Sequence, residues 1–344
     1  MECNLLVGGQ AGQGLASIEN ELTDLLFRLD YHFFATKFYM SRIRGGHNEH
    51  LFRVAEEPVH ALSGEPWDVV VGLDEETERL HRADLSAHGI CISIDGIREI
   101  EKAAKEHFRN VKMSNNILVG LLLNVLGVTS ENLGALVKEE EKMAPLVAGM
   151  DFAERWKMAG RFALMPRAVN TLKFDGNSAL GFGALLGGCQ FVAGYPMTPA
   201  TSLQMYLTRA ALEMPVHFEQ AEDEISALNT ALGASYAGLR SMVATSGGGF
   251  ALMTEAVSLA GMTETPVVVV VAQRPGPSTG LPTRTEQGDL NFILHAGHGE
   301  FPRLLYAPGS IEEAISLARR SFELADRYQI PVFILTDQYL ADSI

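Results

Sequence analysis

The chain has 344 residues, 47% hydrophobic and 20% charged, with 33 Gly and 14 Pro. This composition excludes a disordered or collagen-like polypeptide, and at about 150 residues per domain the length predicts two domains. The 27 Lys and Arg against 42 Asp and Glu give a formal net charge of -15, which phosphate backbones repel, so no nucleic-acid partner is expected.

The opening sequence MECNLLVGGQAGQG has no basic region followed by an apolar stretch and does not read as a signal peptide. The longest apolar run, Ile117 to Val128, is interrupted by Gly120, Asn124 and Gly127. It predicts a buried helix, and no membrane segment is expected. Cys3, Cys91 and Cys189 are scattered and form no CxxC pair, so neither a disulfide framework nor a metal cluster is predicted on this chain. A reducing cytoplasm is the expected compartment.

In chain order, Asn4 to Val7 predicts a strand, GGQAGQG a turn, and Leu15 to Leu29 a helix. Trp67 to Leu73 and Ile90 to Ile94 predict two further strands, with Asp95-Gly96 turning the chain. Continuous apolar runs suit parallel strands covered on both faces. From Asp151 to Asp175 no β/α unit is visible, and this stretch predicts a connection. Beyond it, GNSALGFGALLGG predicts a tightly packed helix, Gln190 to Ala193 a strand, Glu222 to Ala237 a helix and Ser241 to Thr245 a strand. PVVVVVAQ (266–273) is the clearest central strand, followed by a helix at Ile311 to Tyr328 and a strand in PVFILT. The predicted class is α/β, with two domains at residues 1–165 and 166–344, each a mostly parallel sheet flanked by helices.

Six segments carry candidate chemistry. In GGQAGQG, Gly9, Gly12 and Gly14 stand between a strand and a helix, where backbone amides can approach an anion. The order is neither a dinucleotide fingerprint nor a Walker loop, and a tight packing turn explains it equally well. In SRIRGGHNEH, Arg42 and Arg44 could grip a phosphate or carboxylate or dock a subunit. His47 and His50 at i, i+3 suggest a metal, but no third ligand is evident, so no metal is assigned. In GYPMTPATS, Pro196 and Pro199 stiffen the loop around Thr198, and Thr201 or Ser202 is the expected cap of the next helix.

Glu219, Glu222, Asp223 and Glu224 lead a helix of small and apolar residues. First-turn acids ordinarily complement the helix dipole. An acid held in apolar surroundings can instead exchange a proton with a ring nitrogen. ATSGGG is again strand, glycine turn, helix. Finally QRPGPSTGLPTRTEQGDL, with Arg274, Thr283, Arg284 and Glu286, follows the strongest strand, where α/β sheets bind ligands. Arg274 suits a carboxylate through its two-donor fork.

Together, GYPMTPATS, EQAEDE, ATSGGG and AQRPGPSTGLPTRTEQGDL resemble, in order and spacing, the α subunit of thiamine-dependent 2-oxoacid:ferredoxin oxidoreductases. GGQAGQG and SRIRGGHN resemble the γ domain that some members fuse ahead of α. The resemblance implies a thiamine diphosphate-binding fold of the pyrimidine type for residues 166–344. It implies that Glu224, with Glu222 as fallback, activates the coenzyme at the pyrimidine N1′. It further implies that Thr198 lies near the thiazolium and that Tyr195, Pro196, Gly247 and Gly248 help hold the cofactor. By the same resemblance Arg274 binds the substrate carboxylate, while Thr283 and Arg284 lie toward the substrate side chain. Gly9, Gly12, Gly14, Arg42 and Arg44 become candidates for an anion or coenzyme A contact.

No GDG motif or cluster cysteines are present. The resemblance therefore implies a β subunit carrying Mg2+ and a [4Fe-4S] cluster, with ferredoxin or flavodoxin as electron acceptor. Gly248 stands where relatives often have Pro. The implied reaction is oxidative decarboxylation of a 2-oxoacid to an acyl-CoA, with 2-oxoglutarate, pyruvate and branched-chain acids open and 2-oxoglutarate favoured. The rivals are a non-redox thiamine-dependent decarboxylase subunit, which leaves the γ-like region without a role, and a non-catalytic subunit retaining the fold.

Overall fold

The structure, a computed structural model, describes residues 1–40, 46–167 and 171–344. It divides into two compact units, Met1–Lys173 and Phe174–Ile344.

In the first unit, β1 (Glu2–Gln10) and α1 (Leu15–Arg28) precede an antiparallel ribbon, β2 (His32–Tyr39) and β3 (His47–Ala55). Then come β4 (Trp67–Gly72), α2 (Glu75–His81), β5 (Leu85–Ile92), α3 (Ile94–Phe108), α4 (Met113–Val125), α5 (Ser130–Leu136) and α6 (Glu140–Arg155). The sheet order is β2-β3-β1-β4-β5. The pairs β1/β4 and β4/β5 are parallel, as the continuous apolar runs predict, whereas β3 runs antiparallel to both β1 and β2. The sheet is therefore mixed, and the ribbon is an addition that the sequence pattern did not announce. Asp95-Gly96 is not a turn: the Ser93 hydroxyl accepts from Gly96 N–H and starts α3 there. The apolar run at 117–128 is the buried body of α4 and the turn that follows it.

The second unit runs α7 (Gly176–Leu186), β6 (Phe191–Gly194), α8 (Thr201–Ala210), β7 (His217–Gln220), α9 (Glu224–Tyr236), β8 (Ser241–Thr245), α10 (Gly247–Thr263), β9 (Val267–Gln273) and α11 (Leu290–His295). It closes with β10 (Leu304–Tyr306), α12 (Ile311–Tyr328), β11 (Pro331–Asp337) and α13 (Gln338–Asp342). Its sheet, ordered β10-β11-β9-β8-β6-β7, is parallel throughout.

Central β9 shows why a continuous valine run is required here. Val267, Val269 and Val271 pack on one face with Leu228, Phe250 and Met253, while Val268 and Val270 pack on the other with Leu203, Phe322 and Ile334. Both faces are apolar, so no alternation is left for water. Because all strands run one way, the ends of β6, β7, β8, β9 and β11 emerge at a single carboxyl edge, where this architecture places its ligand crevice.

Candidate functional site

Each motif of the second unit sits at that edge. α9 starts at Glu224, two residues after the expected position, because Asp223 is in extended backbone and serves as the N-cap. The Asp223 carboxylate caps the helix, accepting from Ser226 N–H at 2.7 Å. Asp223 thus takes the ordinary role of a first-turn acid, and Glu222 is exposed. Glu224 is different: it is only 3% exposed, and its Oε1 has no hydrogen-bond partner among the described residues. A buried carboxylate oxygen left unpaired is costly, so it points to a partner supplied from outside the chain.

The glycine turn of ATSGGG makes room for it. A Cβ on Gly249 would lie 2.2 Å from Thr245 Oγ1 and 2.8 Å from Glu224 Oε1. Thr245 Oγ1 and Ser246 Oγ are also buried without hydrogen-bond partners among the described residues. Gly247 lies against Asp289, whose Oδ2 is buried and unpartnered, and Gly248 is exposed. Burial, followed by the neighbouring Glu286 charge, pushes the Asp289 carboxyl above its ordinary range.

The GYPMTPATS loop is held by buried amides. Gln204 Nε2 donates to the Tyr195 and Ala244 carbonyls at 3.0 and 2.8 Å. Asn177 Nδ2 donates to the Pro199 carbonyl and the Ser202 hydroxyl at 2.8 and 2.7 Å. Neither Thr201 nor Ser202 is the helix cap: Ala200 occupies that position, and Ser202 is engaged by Asn177 instead. Thr198 is half-buried, while Tyr195 and Pro196 are exposed at the rim. Arg274, half-buried just past the end of β9, donates from Nη1 to the Thr198 carbonyl at 2.7 Å, and its buried Nε has no partner among the described residues. Burial lowers its pKa from the ordinary guanidinium value, and the Glu224 carboxylate works against that shift. Farther along the same loop Thr283 is half-buried, its carbonyl bonded by Gln338 Nε2 at 3.1 Å, and Arg284 is exposed. Thr198, Glu224, Arg274 and the glycine turn therefore converge. Gln204, Asn177, Thr245 and Gly249 complete the arrangement. Sequence reasoning missed them, although a lone buried amide carries little signal of its own.

In the first unit, Gly12 and Gly14 adopt φ of 97° and 91°, which glycine tolerates and other residues resist. Gly9 abuts Gln13, and Gly14 abuts Asn115, so the packing-turn reading is satisfied at both. Gly12 has open space around its Cβ direction. Arg42 and Arg44 lie outside the described residues.

The i, i+3 pairing of His47 with His50 dissolves because β3 is a strand, in which residues three apart face opposite sides. His50 Nδ1 lies 3.1 Å from buried Glu19. His47 instead meets Glu49 and His81, with His47 Nε2 and His81 Nε2 standing 3.0 and 2.9 Å from the same oxygen, Glu49 Oε1. Burial alone would raise the Glu49 carboxyl, but His81 and His47 outweigh it and hold it low; in return Glu49 raises His81.

Residues 182–344 match the family model for pyruvate flavodoxin/ferredoxin oxidoreductase, thiamine diphosphate-binding, and residues 4–146 match pyruvate ferredoxin/flavodoxin oxidoreductase. The chain is similar to 2-oxoacid:ferredoxin oxidoreductases over nearly its whole length. It is 30% identical, over its full length, to a 2-oxoacid:ferredoxin oxidoreductase subunit alpha from a Sulfolobus species, of which it covers 65%. A 2-oxoglutarate synthase subunit KorA from Methanocaldococcus jannaschii is 44% identical over 48% of this chain and 45% of its own length. Among solved structures, a 2-oxoglutarate:ferredoxin oxidoreductase from Magnetococcus marinus, with 2-oxoglutarate, coenzyme A and succinyl-CoA bound, superposes with a TM-score of 0.88. It is 30% identical, covering 99% of this chain and 64% of that one. The chain thus spans a little under two thirds of the full-length oxidoreductase subunits it matches. Among the described residues no helix is long and apolar enough to cross a membrane.

Proposed function

We propose that this oxidoreductase-family chain is the α subunit, with a fused γ-like region, of a thiamine-dependent enzyme that oxidatively decarboxylates a 2-oxoacid and transfers the acyl group to coenzyme A. The observation that carries this reading is the buried, unpartnered Glu224 Oε1 at the carboxyl edge of a parallel sheet. Its surroundings fit an aminopyrimidine ring: Gly248 leaves backbone exposed to a flat ligand, Gly247 packs against Asp289 behind it, and Tyr195 and Pro196 form the rim.

Thiamine diphosphate, when bound, supplies the nucleophilic carbon and the electron sink. The chain's own residues bind, orient and move a proton. Glu224 holds the proton shared with pyrimidine N1′, and burial keeps water from competing for it. Arg274 offers its free donors to the substrate carboxylate, while its bond to Thr198 fixes the loop that carries the Thr198 hydroxyl. Thr283 and Arg284 stand farther along the same loop, toward the substrate side chain. A β subunit with a GDG motif holds Mg2+ and the [4Fe-4S] cluster, and ferredoxin or flavodoxin takes the electrons. Gly9, Gly12, Gly14, Arg42 and Arg44 form the anion or coenzyme A contact of the γ-like region, in a cytoplasmic enzyme.

The names of the Methanocaldococcus and Magnetococcus relatives favour 2-oxoglutarate over pyruvate and branched-chain acids. The test is anaerobic viologen reduction by the native complex, isolated through an affinity tag on this chain, with each acid plus coenzyme A. The reading predicts coenzyme A-dependent reduction, fastest with 2-oxoglutarate. Reduction with none of the acids would remove it, and carbon dioxide release without reduction would transfer the chain to the non-redox decarboxylases.

A further inference from the structure

The first unit contains a constellation that thiamine chemistry does not use. On β3, His47 and Glu49 are two residues apart and so project from the same face. The last residue of α2, His81, reaches them from 34 positions along the chain. The two Nε2 atoms stand 3.0 and 2.9 Å from Glu49 Oε1. The donor atoms of all three side chains fall within 4.8 Å of one another. The imidazoles lie nearly parallel, with ring centroids 5.9 Å apart and planes inclined by 25°.

We propose that His47, Glu49 and His81 form a binding site for a divalent first-row transition ion of the Zn2+ type, clamping strand β3 to the end of helix α2. Zinc binds imidazole nitrogen and carboxylate oxygen at about 2.0–2.2 Å, which spaces ligands on a tetrahedral ion by about 3.3 Å. The observed separations need only a slight opening to admit the ion. Two imidazoles and one carboxylate leave a fourth position for water or an anion, as in zinc sites of the two-histidine, one-glutamate kind.

Two further observations point the same way. Asp84 Oδ2 lies 3.6 Å from His81 Nδ1, on the side of the ring away from Glu49. At that distance Asp84 is an electrostatic neighbour rather than a hydrogen-bond partner, and a carboxylate behind a ligating histidine raises the ring's basicity. His47 Nδ1 is buried with no hydrogen-bond partner among the described residues, so the ring depends on its Nε2 side for polar contact. The His47 ring also lies against Gly8, where a Cβ would come 3.2 Å from Cε1. The ion would therefore sit beside the end of β1, where the chain enters its glycine turn.

The test uses the whole chain, stripped with a chelator and then titrated with Zn2+ alone, by calorimetry and by competition with a chromogenic chelator. One ion should bind per chain with micromolar or tighter affinity. Co2+ in its place should give the visible absorption bands of a four-coordinate centre. Glu49→Gln and His81→Gln should each weaken binding by at least about 100-fold, and Asp84→Asn by about 10- to 100-fold. Circular dichroism should show the variants folded. A wild-type chain that binds no Zn2+ at micromolar concentration overturns the proposal, whatever the variants do, and assigns the cluster to a proton-sharing histidine–carboxylate pair. Binding that persists unchanged in either Glu49→Gln or His81→Gln overturns it as well.

Discussion

Arg274 donates from Nη1 to the Thr198 carbonyl at 2.7 Å, tying the end of β9 to the loop after β6. One guanidinium therefore both shapes the loop and keeps donors for a ligand. Its uncommitted Nε is buried, and Glu224 is the charged group that counteracts the effect of that burial. Arginine, carboxylate and the Thr198 backbone are thus linked, and the two charged side chains can be perturbed separately.

Arg274→Lys should raise the KM for the 2-oxoacid in the assembled complex far more than it weakens thiamine diphosphate binding. Losing a two-donor contact to a charged group costs on the order of 2 kcal/mol, about 30-fold. Steady-state kinetics with cofactor saturated provide the check, and an unchanged KM would move the carboxylate contact to Arg284.

Gly249→Ala places a methyl 2.2 Å from Thr245 Oγ1 and 2.8 Å from Glu224 Oε1. Thr245 and Glu224 are both buried, so admitting the methyl displaces both side chains or the helix backbone. Thermal unfolding should show a loss of about 1–3 kcal/mol, the usual cost of overpacking. Cofactor activation should fall with it. Gly248→Ala, at an exposed position where the nearest neighbour is 3.3 Å away, should be much milder in unfolding.

Much of this site was legible because its parts are local. PVVVVVAQ, ATSGGG and the proline-framed loop each declare an element in a handful of residues. The register of the acid was legible only to within two positions: Asp223 is in extended backbone and serves as the N-cap, so α9 opens at Glu224 and the exposed Glu222 falls outside it. What escaped depends on distant pairing. HFFATKFY and HNEHLFRVA lack clean alternation because β2 and β3 are buried irregularly along their length, and only their register with β1 makes them strands. His81 joins His47 and Glu49 through the sheet, which no spacing rule reveals.

Glu19 is 2% exposed, with Lys37 Nζ and His50 Nδ1 each 3.1 Å from its carboxylate. Burial pushes its pKa up, but His50 and Lys37 outweigh burial and hold it below the ordinary 4.5. A carboxyl lowered on folding stabilises above its unfolded pKa and loses that contribution as pH falls through the folded value. Denaturant unfolding from pH 6 down to pH 3 should therefore show stability falling from about the ordinary 4.5 downward. Glu19→Gln should flatten that dependence and cost about 3 kcal/mol at neutral pH, because Lys37 loses its buried counter-charge.

Asp289 carries the opposite sign. Its carboxyl is raised on folding, so its charge opposes folding above the folded pKa and has no effect below the unfolded one. Asp289→Asn should raise Tm at pH 7 and leave it nearly unchanged at pH 3, as read by calorimetry. An equal shift at both values would assign the effect to packing against Gly247.

The central claim is that the buried Glu224 carboxylate activates a thiamine cofactor, and hydrogen–deuterium exchange at the cofactor C2 in the reconstituted complex tests it most directly. Glu224→Gln preserves size and hydrogen bonding but cannot hand over a proton. Exchange should slow by about 10²- to 10⁴-fold while thiamine diphosphate still binds, and Glu222→Gln should exchange at the wild-type rate. Loss of exchange in Glu222→Gln with normal exchange in Glu224→Gln, or normal exchange in both, would contradict the account.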